Sequence, residues 1–272
     1  CGLTLTAFRT DPVATKKQRS AKRANQAKAF SLGLILPAAV LGLWYLVAAY
    51  GDFSATQLPS PDDVLTASAT LISKGTLWGH LLISLQRVAL GFLIGAILGI
   101  ALGSLVGLNK LIAQLLLPTI GAVRAIPSLA WVPLLLIWMG IYEEPKVTLI
   151  ALGAFFPVFT TVSAGLAAVD RNLIEVGRAY GLKGVKLVRK VLLPASAPTI
   201  FSGLRLGLAQ AWLFSVVAEL IASSKGLGFL LLDSQNTART DVLFLTIIIL
   251  ALLGKASDAL IAIIEKRVLH WV

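Results

Sequence analysis

EVGRAYGLKGVKLVRKVLLP, Glu175 to Pro194, is the stretch on which the reading of this chain turns. From Arg171 to Lys190 six cations accompany a single acid, Glu175, and apolar stretches long enough to enter lipid lie on both sides. Gly181 stands where a helix ends in a left-handed residue, so the segment divides into two short helices. The first, Glu175 to Tyr180, carries Glu175 in its first turn, where an acid suits the helix dipole. The second, from about Gly184 to Leu192, sets Val185, Val188 and Leu192 on one side and Lys186, Arg189 and Lys190 largely on another. Pro194 and Pro198 are expected to stop it and to begin the next span. A loop that is basic only to stay on one side of a membrane, drawn to anionic lipid, needs neither that glycine nor the Leu-Leu-Pro ending.

Lipid is the frame because of composition. Of 272 residues, 57% are hydrophobic and 14% are charged, against about 25% charged in ordinary soluble domains. So much apolar surface reads as an all-α integral membrane protein. The net charge of +11 falls between apolar spans, which points to membrane topology and lipid rather than to nucleic acid. A single cysteine, Cys1, excludes an internal disulfide framework and a cysteine zinc site. Met139 is the one methionine, so the sequence is expected to lack its initiator.

About six transmembrane helices follow. Residues 1–29 form a basic tail. Phe30 to Tyr50 carries no charge, and about 20 helical residues span a ~30 Å hydrocarbon core. The region 30–80 holds this span and a mixed segment. In its LPSPDD turn Ser60 can cap, Pro61 takes the first helical position, and Asp62 and Asp63 face the positive helix end. The core, 81–266, opens with a span from Leu81 to Leu108 in which Gly91, Gly95, Gly99, Gly103 and Gly107 recur every fourth residue. Such a ridge lets another helix approach closely in lipid, either within one subunit or along a seam between subunits. Next come a short interfacial helix up to Val123 and a membrane helix from about Pro127 to Tyr142. A span from Lys146 to Val169, bent at Pro157, leads to the loop 170–196. Ala197 to Ala222, an outer SSKGLG loop, and Asp241 to Ile264 complete the core, and 267–272 is the C-terminus. Lys255 and Asp258 stand three apart on the last span, where an ion pair would lower the cost of two charges at depth.

An even number of spans leaves both termini on one side. Sixteen cations then fall on that side and four on the other. Cation counts set orientation, so both termini and the loop 170–196 are read as cytoplasmic.

Several chemistries are missing. The nearest approach to a Walker A loop, Gly254-Lys255-Ala256, lacks the Ser or Thr after its lysine. His80 and His270 are far apart and read as interfacial, and no nucleophile–base set or paired intramembrane carboxylates suggest an enzyme. Whatever the chain moves, it does not hydrolyse ATP by itself. A self-sufficient secondary transporter, the rival class, would show broken helices at matching places in two halves, and no internal repeat is visible.

Glu175, Ala179 and Gly181, then nine residues, then Val191-Leu-Leu193-Pro194, resemble the EAA loop of bacterial ABC importer permeases. Two of the family's alanine positions hold Val176 and Gly177, and Val191 stands for isoleucine. The stretches SLQRVALGF (84–92), RAIPSLAWVPLLLIWMGI (124–141), LPASAPTIFSGLRLGLAQAW (193–212) and ARTDVLFLTIIILALLGKASD (238–258) are similar to the nitrate/sulfonate/taurine subgroup. TDV, ALLGK and RAYGL incline it toward the aliphatic sulfonate permeases, with taurine or nitrate/bicarbonate as alternatives. The resemblance implies a type I importer permease fold in the bacterial inner membrane and a homodimer of this chain. It also implies two cytoplasmic ATP-binding subunits that hold ATP and magnesium, and a periplasmic or lipid-anchored binding protein. No cofactor or metal is implied for the chain itself. Glu175, Arg178, Ala179, Gly181, Leu193 and Pro194 would then couple to the ATPase.

Trp131, Trp138, Phe155, Phe156, Trp212 and Glu219 are candidates for the translocation path, although aromatic residues also serve as packing or interfacial anchors. Glu219 would repel an anion, which favours a structural or gate-bonding role. Arg124 and Arg205 either draw an anion or snorkel and cap carbonyls.

Overall fold

The computed structural model describes residues 35–54 and 56–269, and its contacts divide the chain into two compact units, Cys1–Asp62 and Asp63–Val272. The basic tail, the first residues of the expected first span and His270 lie outside the described residues. In the first unit α1 (Ile35–Tyr50) is an apolar helix. The chain beyond it returns, and Trp44 Nε1 donates to the Pro59 carbonyl at 3.0 Å.

α2 (Pro61–Ser73) begins at Pro61, as the LPSPDD turn predicts. Gly75, at φ 70°, breaks the chain before α3 (Thr76–Leu108), which starts at Thr76 rather than at Leu81. Asn109 caps α4 (Lys110–Ala125) by accepting from the amides of Leu111 and Ile112 at 2.9 and 3.4 Å. The membrane helix expected from Pro127 to Tyr142 is corrected. A single 3₁₀ turn (Ser128–Ala130) precedes α5 (Trp131–Met139), and the two pieces around the break are bent by 81°. Pro127 pushes Ile126 into extended backbone, φ −70° and ψ 124°, and Gly140 at φ 78° ends α5 after nine residues.

α6 (Glu144–Ala167) stays helical through Pro157. After α7 (Arg171–Ala179) and the short α8 (Gly184–Leu187), α9 (Leu193–Ala222) returns toward the start of α6. α10 (Leu227–Asn236) is absent from the sequence reading, which left its residues to the outer loop. α11 (Thr240–Val268) closes the described chain. Among the described residues four helical runs are long and apolar enough to cross a membrane by themselves: α3, α6, Gly184–Ile221 and α11. The bent α4–α5 pair makes a fifth.

α6 is the central helix, between α3 and α9. The glycine ridge of α3 lies on it. A Cβ added at Gly91 would come 2.5 Å from Ile150, one at Gly99 2.9 Å from Val158, and one at Gly107 2.8 Å from Leu166. Gly95 meets the Ala151 carbonyl, and Gly103 comes 2.9 Å from the Phe159 carbonyl. Of the two alternatives for the ridge, close packing within the subunit is the one observed. Missing side chains let the backbones approach and gain dispersion contact where lipid offers no hydrophobic drive. The opposite face of α6 uses the same device, with Gly203 against Thr161 and Gly207 against Val158, while Phe214 fills the hollow at Gly153. Ile150, Ala154, Val158 and Val162 are fully buried between the two neighbours.

Candidate functional site

The Glu175–Pro194 segment is built from local bonds. Asp170 caps α7, its carboxylate accepting from the Asn172 amide at 2.9 Å. Glu175 is therefore the fifth residue of the helix and not in its first turn, a correction that follows from the earlier start. Gly181, at φ 75°, ends α7. The Leu182 amide donates to the Gly177 carbonyl at 3.0 Å and the Gly181 amide to the Arg178 carbonyl at 2.9 Å, the paired bonds of a Schellman end. Nothing lies within 4 Å of a Cβ added at Gly181, so the backbone angle requires glycine there and the space does not. Gly177 is the reverse case: its added Cβ would come 2.7 Å from Leu187 and 3.1 Å from Val191. At that point α7 rests on the second helix.

The second helix does not stop at Pro194. It passes through a π turn (Val188–Leu192) straight into α9, as one helical run from Gly184 to Ile221. The expected stop is corrected for a physical reason. Proline lacks an N–H, and its ring collides with the carbonyl four residues back. Bonding five residues back, as the Leu193 amide does to the Val188 carbonyl, widens the turn where the ring must fit. α7 thus bears on a rigid extension of a spanning helix. Facing solvent are three apolar knobs, Val176, Tyr180 and Val185 (55, 83 and 81% exposed), among the exposed Glu175, Arg178, Ala179, Lys183 and Lys186.

At the other end of α6 and α9 is a polar network that the sequence reading missed. Arg87 of α3 is 3% exposed and Glu219 of α9 is 1% exposed. Arg87 donates Nη1 to Glu219 at 2.9 Å and to the Lys225 carbonyl at 2.7 Å, and gives Nε and Nη2 to Glu143 at 2.6 and 2.7 Å. Glu219 also accepts from Ser84 Oγ at 2.8 Å and from the Gly228 amide at 2.8 Å. Ser84 in turn accepts from the Leu227 amide at 2.8 Å, and Lys146 Nζ donates to Glu143 at 2.9 Å.

Bonded to Arg87 and secondarily to Lys146, the Glu143 carboxyl is held well below its ordinary value, at about 2, while partial burial opposes the shift. Gly226 and Gly228 are glycines because an added Cβ would land on Glu219 or on the Val216 carbonyl. The expected structural role of Glu219 thus has a geometry: it binds the first turn of α10 to α3. The available signal was Arg87 itself, a lone cation inside an apolar span.

The other candidate path residues do not converge. Trp131 and Trp212 pack into one core cluster, and Trp212 Nε1 donates to Ser257 Oγ at 2.9 Å. Phe155 lines an apolar groove of about 310 Å³ between α3 and α6, with the Phe156 ring 5.2 Å away. Trp138 is exposed. Arg205 holds Asp258 with two bonds of 2.7 and 2.9 Å. Lys255, the partner expected for Asp258, adds a longer ion pair to it at 3.9 Å. Arg124 reaches Thr160 Oγ1 at 3.3 Å. Among the described residues no group of three His, Cys, Asp or Glu could hold a metal.

Long apolar helices, one of them joined rigidly to a helix-turn segment, define a multi-pass membrane protein. The family of binding-protein-dependent transport system inner membrane components matches residues 91–270, and the chain belongs to that family. The aliphatic sulfonates transport permease protein of Bacillus subtilis (strain 168) is 41% identical over 263 residues, covering 97% of this chain and 94% of that one. Its counterpart in Escherichia coli (strain K12) is 40% identical, covering 87% and 90%. The taurine transport system permease protein of Escherichia coli (strain K12) is 34% identical, covering 86% and 87%.

Among solved structures, the inward-facing methionine ABC transporter superposes with a TM-score of 0.58 at 21% identity, over 69% of this chain and 91% of that one. An amino acid ABC transporter gives 0.53 at 19%, over 75% and 97%. The fold is that of type I ABC importer permeases, and the chain is a multi-pass transport component of the inner membrane.

Proposed function

We propose that this chain is the permease of an ATP-driven importer of small anions, with aliphatic sulfonates as the principal cargo. It works as a homodimer with two cytoplasmic ATP-binding subunits and a substrate-loaded binding protein, and both termini lie in the cytoplasm. The 40–41% identity to two permeases named for aliphatic sulfonates, over most of each chain, supports the cargo. ATP and magnesium belong to the partner subunits, since this sequence has no Walker A loop.

The carrying observation for mechanism is the turn at Gly181. It presents Val176, Tyr180 and Val185 to solvent while Gly177 bears on Leu187 and Val191. A partner that grips α7, with Glu175, Arg178 and Ala179 on its exposed surface, pushes through that contact into the helix that becomes α9. Leu193 and Pro194 lie at the π turn, where the push enters the span. Closure of the ATPase pair on ATP then moves both copies of α9, and the path opens toward the binding protein.

The test is reconstitution with the cognate ATPase and binding protein. A tagged chain retains the nucleotide-binding subunit, and vesicles take up alkanesulfonate in preference to taurine, nitrate or bicarbonate. Gly181→Asp abolishes substrate-stimulated ATPase activity and uptake. Wild-type rates in that variant would refute the coupling role, and uptake by the purified chain alone would favour a secondary transporter.

A further inference from the structure

α4, the break after it and α5 carry the chain from one end of α6 to the other. α4 begins beside the α7 end, where Gly107 of α3 meets Leu166. Glu143, which follows α5, is bonded to Arg87 at the opposite end. In between, Val132 and Leu135 of α5 pack with Leu149, and Arg124 of α4 reaches Thr160. At 1.5 Å per residue those two α6 positions lie about 8 and 24 Å from the Glu144 end of a helix about 36 Å long. The 81° break between α4 and α5 therefore falls in the middle of the crossing.

Ile126 and Pro127 leave the helix there, at ψ 124° and 125°. Non-helical backbone at membrane depth persists only where protein buries it or where it lines a water-filled cavity. This chain does not bury it, since Arg124, Ala125, Ile126 and Pro127 are all exposed.

Arg124 also lacks an acid. Among the described residues it forms no ion pair. The other cations at depth do: Arg87 faces Glu143 and Glu219, and Arg205 and Lys255 face Asp258. A second copy set against the break brings no spare acid from α9 or the inner half of α11, because Glu219, Asp258 and Glu265 already face arginines. Water and an anion satisfy both the open backbone and the cation, and a protein seam satisfies only the first.

We propose that Arg124 is an anion-binding residue on the transport path, its guanidinium meeting the oxyanion head of the cargo at the α4–α5 break. This rests on the reading of the chain as an anion importer. Thr160 positions it. The threonine gives its proton to the Phe156 carbonyl at 2.7 Å, so its oxygen accepts from Arg124 Nη1 at 3.3 Å. The other guanidinium donors, a fixed fork that matches an oxyanion, are left for the cargo.

The test uses the complete transporter in proteoliposomes. Arg124→Gln lowers alkanesulfonate uptake by about tenfold or more, the value of one charge-assisted bond, and Arg124→Lys recovers most of it. The ATP-binding subunit still copurifies with Arg124→Gln. Uptake by Arg124→Gln at the wild-type rate overturns the proposal.

A second measurement separates charge from structure. In a Cys1→Ser, Arg124→Cys chain, aqueous aminoethyl methanethiosulfonate supplied on both sides forms a mixed disulfide, releases methanesulfinate and returns a cation to the site. Uptake recovers, whereas the anionic sulfonatoethyl reagent reacts without recovery, and alkanesulfonate slows both reactions. Reaction only with a lipid-soluble maleimide, or with none of the three, overturns the proposal. If the wild type moves no sulfonate but nitrate or another small anion protects the thiol, the cargo assignment fails and the role of Arg124 stands.

Discussion

The two ends of α6 and α9 are held by opposite means. At the α7–α8 end every bond that shapes the Gly181 turn is made within five residues along the chain. At the far end Arg87, Ser84 and His80 reach partners 56 to 146 residues away. A turn made of local bonds keeps its shape while a partner pulls on it. A network of distant bonds fastens α3, the start of α6, α9 and the loop into α10 together, and it comes apart as a unit when one member is lost. Under the proposed coupling role the first is a handle, and the second is a clasp.

The comparison breaks most severely at Arg87. Arg87→Met leaves Glu219 charged, buried and unpaired, and removing one member of a buried pair costs about 3–5 kcal/mol. Thermal unfolding in detergent should show that loss, and adding Glu219→Leu should recover much of it. A loss below about 1 kcal/mol in the single variant would mean that the clasp is not what holds the loop. Gly226→Ala comes next. At φ 129° its new Cβ lands on the Glu219 carboxylate, so roughly 2–3 kcal/mol is expected, with faster hydrogen exchange confined to 223–228.

At the handle the effect is smaller in stability. Gly181→Ala should cost about 1–2 kcal/mol, because the left-handed backbone alone resists a side chain. Gly181→Asn should cost less, since Asn tolerates that region. Equal losses for the two would point to a steric clash that the open space around Gly181 does not provide.

The smallest effect is pH-linked. The folded Glu143 carboxyl is lowered to about 2 from 4.5. Its bond to Arg87 therefore stabilises fully above about 4.5 and is lost as pH falls toward 2. The melting gap between wild type and Glu143→Gln should be flat above about pH 5 and should close below it. A gap that widens on acidification would reverse the assignment. Half exposure of Glu143 keeps the gap modest.

Much of the handle was legible because helix-end chemistry acts over a few residues: Gly181 after α7, and Pro61 at the start of α2. The glycine ridge was legible as a ridge, but its partner was not, since a bare surface fits any helix that can come close. The proline rule misled at Pro194, where the π turn absorbed the ring and the helix ran on. α10 was hidden because ten residues behind a glycine-rich loop offer too short a pattern to separate from that loop. Glu219 was assigned a structural role without its partners, and Arg87, inside the quoted SLQRVALGF stretch, was passed over.

By itself the sequence determined that the chain lives in lipid, that α2 begins at Pro61 and that the chain bends at Gly181. Those follow from local composition and from backbone angles that only glycine or proline satisfies. The tertiary structure decided that α6 is the central helix, that Arg87 and Glu219 form one buried clasp, and that Arg205 takes Asp258 and leaves Lys255 exposed. Charges choose partners by distance in space, and residues 53 or 132 positions apart become neighbours only after the helices have packed.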